Sequence, residues 1–242
     1  MGTTVDPVVD GMMRLFPAVL FPDVTDAEWD RHPELLDAGG MVELPYGAFV
    51  VRAPDHRVVL LDAGGGPGFT VPEHAGTLAD GGRLLENLRR LGVRPSDVTD
   101  VVLSHLHVDH IGWAAVAGSP AFPSATYHCH AADLAHFLPA AGPPPDDRVP
   151  PLLAPVADLL RGWDGPATTV AGVRLLHTPG HTPGSSVALV GRPGNGLAVV
   201  ATSCTARWSS PRTGRPAPTS TPASRAATGT GSPTGSPTTA RP

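Results

Sequence analysis

The amino-acid sequence predicts a mixed α/β domain in which strands and helices alternate. Short apolar runs bounded by Gly, Pro and Asp are typical of buried strands, and they recur along the first 200 residues. One segment instead repeats leucines at helical spacing. A chain of 242 residues, 41% of them hydrophobic, is long enough to bury one sizeable core. We therefore expect a single α/β domain.

The first predicted elements are an antiparallel hairpin and a helix. Residues 47–52 and 57–62 are apolar runs joined by Pro54 and Asp55, which favours two paired strands. The helix ends at Gly92 and is predicted from Leu84, Leu85, Leu88 and Leu91.

Further strands and one short helix are predicted in the second half of the domain. The strands cover residues 98–104, 125–128, 173–177 and 186–190, and another starts at 197. The short helix covers residues 131–137. The Pro-rich segment 139–155 is predicted to be a surface insertion or lid.

The composition excludes several classes of function. All 17 basic residues are Arg, 22 residues are acidic and the net charge is -5, so we expect no nucleic-acid partner. The N-terminus lacks a basic segment before an apolar core, and no apolar run reaches membrane-spanning length. Cys129 and Cys204 cannot form a disulfide framework. We expect a cytoplasmic protein with a small-molecule substrate and no membrane partner; the sequence leaves its oligomeric state open.

The composition changes after Val200. Residues 201–242 contain five Arg and no Asp, Glu, Val, Leu, Ile, Phe, Tyr or Met. Such a segment buries too little apolar surface to offset its ordering entropy. We therefore predict a domain over residues 1–200 and a disordered Thr/Ser/Pro/Arg-rich tail over 201–242; a basic interaction tail or linker is the alternative.

The segment His105-Leu106-His107-Val108-Asp109-His110 carries the strongest functional signal. It places four candidate metal ligands within six positions at the end of a predicted buried strand; chance histidines in a solvated loop are the other interpretation. In an extended backbone His105 and His107 project to one side. Asp109 and His110 follow where the chain turns and can face a second point nearby. Imidazoles with a carboxylate suit zinc or a similar divalent ion.

A second signal places His181 between two Pro-Gly pairs, in the segment HTPGHTPGS at residues 177–185. Pro-Gly pairs alone are common in turns. Beside the first cluster, however, a rigid loop can fix this imidazole so that it completes a three-histidine face with His105 and His107.

Other polar and aromatic residues receive weaker assignments. His128 and His130 flank Cys129 and could indicate a thiol site, although side chains at a strand end are the favoured interpretation. Trp113 and Phe137 either line a substrate pocket or pack in the core, and we favour packing. No role is assigned to His74, His136 and His177.

Three segments together resemble the metallo-β-lactamase-fold metallohydrolases. They are His105-x-His107-x-Asp109-His110, Pro179-Gly180-His181-Thr182 and Leu61-Asp62-Ala63-Gly64, and the resemblance covers residues 41–200. Residues 44–49 and 110–113 are most similar to the lactonase and organophosphate-hydrolase-like branch.

The resemblance implies a four-layer αββα sandwich with a metal site at one edge, here with an incomplete second half. By this likeness His105, His107 and His181 hold a first zinc ion, and Asp109 and His110 contribute to a second. Asp62 matches a strand-end aspartate that supports the ligands without being one.

The chemistry of such a site is hydrolysis. Two divalent metals about 3.5–4 Å apart can bridge a water and lower its pKa towards neutrality. The resulting hydroxide attacks the carbonyl or phosphoryl centre of a small ester, lactone or phosphotriester. Asp109 is the candidate catalytic residue, since a carboxylate in contact with the nucleophile or leaving group can shuttle a proton.

The family's second metal site is incomplete in this sequence. The family has a Gly-Asp pair after the strand that corresponds to 197–200, whose Asp bridges the metals, and a later His. Here no Asp or Glu follows Asp164 and no His follows His181. Two zinc ions are expected for the family, but a single zinc on three histidines, with an open position for water, is the alternative for this chain.

Codon degeneracy offers an explanation for the missing segment. When the third base of each codon is read with the first two of the next, the residues permitted from Val200 onward include Gly-Asp-Val-Leu-His, which resembles that segment. The Cys204-to-Thr205 step allows only His or Tyr. We hypothesise a one-base frameshift near Val200, in the gene or in its sequencing; a natural tail is the alternative.

The sequence leaves three candidate functions. The first is a metallo-β-lactamase-superfamily hydrolase. The second is a metal-binding but catalytically impaired product that lacks the bridging Asp and the last His. The third is a thioester or persulfide hydrolase of the same fold.

Overall fold

Two β-sheets face each other across an apolar layer at the centre of the fold. The computed structural model describes residues 2–191, 196–200 and 204–208, which belong to one unit spanning residues 1–210. The strands are β1 (Thr4–Leu15), β2 (Val42–Arg52), β3 (Val58–Leu61), β4 (Gly76–Asp80), β5 (Asp100–Val102), β6 (Ala115–Val116), β7 (Ser119–Pro120), β8 (Thr126–His130), β9 (Leu160–Trp163), β10 (Ala167–Val170), β11 (Val173–His177), β12 (Ser186–Val190), β13 (Gly196–Val200) and β14 (Cys204–Trp208).

The helices are short. The α-helices are α1 (Pro17–Leu20), α2 (Asp26–Trp29), α3 (Leu84–Arg90), α4 (Val108–Ile111), α5 (Ala131–Phe137) and α6 (Val149–Leu153). Three 3₁₀-helices cover Pro33–Leu35, Pro95–Asp97 and Ala154–Leu159. None of the helices described is long and apolar enough to cross a membrane.

The first sheet has seven strands in the order β4-β1-β2-β3-β5-β8-β9. Strands β3, β5, β8 and β9 are mutually parallel, whereas β4, β1 and β2 pair antiparallel. The second sheet is an antiparallel meander in the order β10-β11-β12-β13-β14, and β6 pairs with β7 separately. In such sheets the carboxyl ends of neighbouring parallel strands meet at one edge, where binding sites form. Here β3 and β5 bring the residues after Leu61 and Val102 to that edge.

Each face of the first sheet is covered by a different apolar cluster. Between the sheets, side chains such as Val59 and Val102 pack with Val173, Leu175 and Ala188 of the second sheet. The opposite face packs against residues from α3, α4, α5 and α6. Helices α1 and α2 bury no residue, so no described helix supplies the second helical layer of an αββα sandwich. The predicted mixed α/β class is confirmed, with three of the four layers present among the described residues.

Most predicted elements are found where the sequence placed them. The hairpin is β2 paired with β3, the leucine-spaced helix is α3, and residues 131–137 form α5. The predicted strand over 98–104 is shorter, because regular pairing ends at Val102 and the chain turns towards the histidine segment. Strand β1 was not predicted.

The Pro-rich segment differs from its prediction as a surface insertion. Residues 139–148 are exposed or half-buried, but the segment continues into α6. Val149, Leu153 and Val156 are fully buried in the helix-side cluster. The prolines fit because they occupy the first turns of α6 and of the following 3₁₀-helix, where no amide hydrogen bond is lost.

The predicted disordered tail contains one described strand. Residues 204–208 form β14, which pairs antiparallel with β13. A sheet edge offers unpaired backbone groups to any extended segment, so this pairing needs no apolar side chains. The remainder of 201–242 lies outside the described residues, and the domain boundary at Val200 and the frameshift stay predictions.

A buried carboxylate ties β1 to three other segments. Asp10 is fully buried at a bulge of β1 against β2, where the register shifts between Val9 and Gly11. Its Oδ2 accepts hydrogen bonds from the backbone nitrogens of Gly65 and Gly66 at 2.9 and 3.1 Å. Its Oδ1 accepts from the Leu84 nitrogen, at the start of α3, and from Trp113 Nε1, each at 2.9 Å.

We predict that Asp10→Asn lowers the free energy of unfolding by about 2–4 kcal/mol, because an amide NH₂ would then face donors that lose their acceptor. Urea unfolding followed by circular dichroism measures the change. The matched control is Asp23→Asn at an exposed position, with an expected change within about 0.5 kcal/mol. Equal midpoints for the two variants would contradict the assignment.

Candidate metal centre

Three histidines from two different sheets converge at the sheet edge. His105 and His107 follow β5 of the first sheet, whereas His181 lies in the loop between β11 and β12 of the second. Their candidate ligand atoms all lie within 4.8 Å of one another. His105 Nε2 and His107 Nδ1 are 3.1 Å apart. The structure thus brings together the three-histidine face that the sequence predicts.

The three imidazoles differ in exposure but share a lowered pKa. His105 is buried, His107 is half-buried and His181 is exposed. Loss of hydration is the largest cause of the lowered pKa in each case, and the charge of neighbouring histidines adds to it. The rings are therefore neutral at neutral pH, and a neutral imidazole has the lone pair that a metal requires. The donor set fits a divalent cation of the zinc type.

Ser104 fixes which nitrogen of His105 carries the proton. Ser104 Oγ lies 2.8 Å from Asp62 Oδ2 and 3.2 Å from His105 Nδ1. A carboxylate oxygen accepts, so the Ser104 hydroxyl donates to Asp62 and receives the Nδ1–H of His105. This leaves the lone pair on His105 Nε2, which faces His107. The sequence analysis missed Ser104; its only sequence signal is its position directly before the first histidine.

Asp62 lies at the end of β3 and connects His105, through Ser104, with His110. Besides the Ser104 hydroxyl, it accepts the Ser104 backbone N–H at 2.7 Å and His110 Nδ1–H at 2.9 Å. Its φ of 63° is left-handed, a conformation in which Asp is enriched among non-glycine residues. Asp62 therefore orients two side chains of the site, as a supporting aspartate would.

Asp109 and His110 form a second pair beside the first cluster. The buried His110 ring lies between Asp62 and Asp109, with Nε2 3.3 Å from Asp109 Oδ2. Burial lowers the pKa of His110, but the two carboxylates outweigh it and raise the pKa to about 10. Burial raises the pKa of Asp109, but His110 outweighs it and the pKa is lowered. The ring centroids of His110 and His105 are 4.1 Å apart, so the pair adjoins the three histidines.

The His181 loop is closed by its own hydrogen bonds. Thr178 N donates to Ser185 O at 2.8 Å, and Thr182 N donates to Ser185 Oγ at 2.9 Å. His177 Nε2–H donates to Pro183 O at 2.8 Å, and its ring stacks on His130 with centroids 3.7 Å apart. His177, to which the sequence assigned no role, thus anchors the loop. Its position at the end of β11 was the one sequence signal for this role.

The structure does not form a thiol site at Cys129. Its side chain is fully buried in the helix-side cluster, where burial raises the pKa of the thiol. His128 contacts Asp100 and His130 stacks on His177, so both lie on the other face of β8.

Both aromatic candidates are packed in the core. Trp113 donates to Asp10. Phe137 is buried and also contacts His107 edge-on, with ring centroids 5.6 Å apart.

Comparison with protein families identifies the fold and its family. The model of the metallo-β-lactamase superfamily matches residues 43–202. The chain belongs to this superfamily. The family resemblance of the three motifs is confirmed, and the match ends within the region where the composition changes.

Curated relatives within the superfamily include N-acyl homoserine lactonases. One from Bacillus sp is 27% identical over 172 residues, which cover 64% of this chain and 62% of the relative. One from Bacillus cereus is 26% identical over 182 residues, which cover 68% of this chain and 66% of the relative. The chain thus spans less than two thirds of the length of these relatives.

Solved structures share the same fold. A probable metal-dependent hydrolase from Staphylococcus aureus has a TM-score of 0.66 at 16% identity, covering 82% of this chain and 72% of that one. A hydrolase of the β-lactamase superfamily has a TM-score of 0.67 at 21% identity, and the match covers 82% of this chain and 70% of that one. The dizinc quorum-quenching lactonase AidC, bound to a product, has a TM-score of 0.62 at 22% identity, covering 81% and 73%.

We predict that Ser104→Ala weakens metal binding about 10-fold to 100-fold, because partners that orient a ligand tune its affinity to this extent. Zinc competition against a chromophoric chelator measures the dissociation constant. Ser96→Ala, at an exposed serine, is the control and should bind zinc like the wild type. An unchanged affinity in Ser104→Ala would refute the proton assignment.

Proposed function

We propose that this chain is a metal-dependent hydrolase of small lactones or esters, with zinc held by His105, His107 and His181. The observation that carries the proposal is the convergence of their ligand atoms within 4.8 Å at one sheet edge. A phosphotriester is the related substrate class, since the same chemistry serves a phosphoryl centre.

The proposed chemistry divides between the cation and the chain. A divalent cation held by His105, His107 and His181 would supply water of lowered pKa and would polarise the substrate's carbonyl or phosphoryl oxygen. Asp109 is a carboxylate at neutral pH, so it can accept a proton from water and release it to the leaving alkoxide. Asp109 and His110 are also the ligands that we propose for a second cation, whose binding would require His110 to lose one of its two ring protons, because a metal takes the lone pair of a neutral imidazole.

A mostly apolar cavity next to α4 supports a substrate with an apolar substituent. Val108 and Gly112, which flank Asp109 and His110, line this cavity together with Phe69, Leu152 and Arg148. A lactone with a hydrocarbon chain matches such walls. The curated relatives are N-acyl homoserine lactonases, which also favours a lactone substrate.

A second candidate, metal binding without turnover, is favoured by one observation. No Asp or Glu follows Asp164 and no His follows His181 in this chain. The second cation would therefore have only Asp109 and His110 from the expected protein ligands. Metal analysis separates the candidates: about two metals per chain with turnover supports the hydrolase, and zero or one without turnover supports the alternative.

We predict that His181→Ala lowers kcat/KM on the best substrate at least 100-fold, because the site loses one of three ligands and with it several kcal/mol of catalysis. The assay panel is an N-acyl homoserine lactone, an aryl ester, a phosphotriester and a thioester. His74→Ala, at an exposed histidine, is the control and should keep full activity.

Removal of metal by a chelator should abolish turnover, and added zinc should restore it. Wild-type protein that holds two zinc ions and hydrolyses none of these substrates would refute the proposed function.

A further inference from the structure

A buried aspartate on α5 contacts both segments that carry the three histidines. Asp133 is fully buried, and its three hydrogen-bond donors are neutral groups. It is neither a predicted ligand nor part of the proposed chemistry. A buried carboxylate is costly unless its oxygens are bonded, so these contacts specify how the neighbouring segments lie.

The donors come from both sides of the candidate metal centre. Leu106, between His105 and His107, donates its backbone N–H to Asp133 Oδ2 at 3.1 Å. From the other side, Thr182 Oγ1 donates to the same oxygen at 2.9 Å. The Gly184 nitrogen donates to Oδ1 at 2.6 Å. One side chain thus joins segments from two different sheets.

The contact between α5 and the His181 loop is also sterically close. A Cβ added at Gly184 would lie 2.6 Å from the Asp133 nitrogen and 2.7 Å from the Asp133 Cβ, so only glycine allows this approach. The loop is otherwise mostly exposed, since residues 178–181 are all solvent-accessible. Its buried side, which includes Thr182 and Gly184, is the side that meets Asp133.

We propose that Asp133 is a positioning residue that docks the His181 loop against the His105–His107 segment and thereby sets the three-histidine geometry. The inference rests on the metal site of the proposed function, but it does not require turnover. Because Thr182 follows His181 directly, loss of the dock displaces this imidazole relative to the other two.

The first test measures, in metal-free protein, how strongly Asp133 holds the His181 loop against the His105–His107 segment. In Asp133→Asn, an amide NH₂ replaces one accepting oxygen and faces a donor. Hydrogen exchange at the Leu106 and Gly184 amides should therefore accelerate at least tenfold relative to the wild type. Unchanged exchange at both amides would overturn the proposal.

The second test measures metal affinity in variants that differ by one hydroxyl. Thr182→Val removes, at nearly constant shape, the hydroxyl that bonds Asp133 Oδ2 at 2.9 Å and Ser185 Oγ at 2.8 Å, whereas Thr182→Ser keeps it. Cobalt titration followed by visible absorption should give a dissociation constant raised 10-fold to 100-fold in Thr182→Val and Asp133→Asn. In Thr182→Ser it should stay within threefold of the wild type. Equal affinities in the valine and serine variants would overturn the proposal.

A control variant separates positioning from general destabilisation. Asp100 is also buried and bonded, to Arg57, Thr99 and His128, but it lies at the far end of β5 from His105. Asp100→Asn should lower the melting temperature and leave the cobalt affinity and spectrum unchanged. If it weakens cobalt binding as much as Asp133→Asn does, Asp133 has only a structural role.

The outcomes also separate this inference from the proposed function. Normal metal binding without turnover refutes only the hydrolase, and turnover with unchanged affinity in Asp133→Asn refutes only the positioning role. Wild-type protein that binds no cobalt refutes the metal site, and with it the effect proposed for Asp133 on that site.

Discussion

The apolar layer between the two sheets sets the distance between the histidines. Val102 of β5 packs in this layer with Leu175 of β11 and Ala188 of β12. His105 follows Val102 by three residues, and His181 lies between β11 and β12. A direct bond across the layer, from Ser186 N to Ser104 O at 2.9 Å, joins the sheets at that edge. The centre therefore depends on sheet packing before it depends on any metal.

Buried aspartates accept hydrogen bonds from backbone N–H groups that have no ladder partner at this edge. Chain segments that leave regular sheet or helix have backbone N–H groups without a ladder partner, and burial makes them costly. Asp10 accepts such groups from Gly65 and Gly66, and Asp62 accepts one from Ser104. Asp133 accepts from the Leu106 and Gly184 nitrogens. Each carboxylate accepts three or four hydrogen bonds, whereas the single amide oxygen of asparagine has only two lone pairs.

The sequence predicted the histidine-bearing segments but not the contacts that hold them in place. The histidine spacing and the repeated Pro-Gly pairs are local signals, so His105, His107 and His181 could be found from residues alone. The contacts of Ser104 and Asp133 join segments distant in the chain, and nothing near them in sequence marks those partners. Strand β1 was missed for a similar reason, since its pairing with β2 is non-local and polar residues interrupt its apolar positions. Helix α6 was not predicted, because its prolines were interpreted as part of a surface loop. Prolines are nevertheless compatible with a buried helix when they lie in its first turn.

The left-handed backbone at Asp62 has a consequence for how this position tolerates change. A non-glycine residue there carries a conformational cost, of order 1 kcal/mol, that the surrounding bonds must offset. Glycine would relieve the cost but would remove the carboxylate from Ser104 and His110. The hydrogen bonds that hold Asp62 against Ser104 and His110 therefore orient the histidines and also offset the backbone cost, so the stability of the fold and the geometry of the site depend on the same residue.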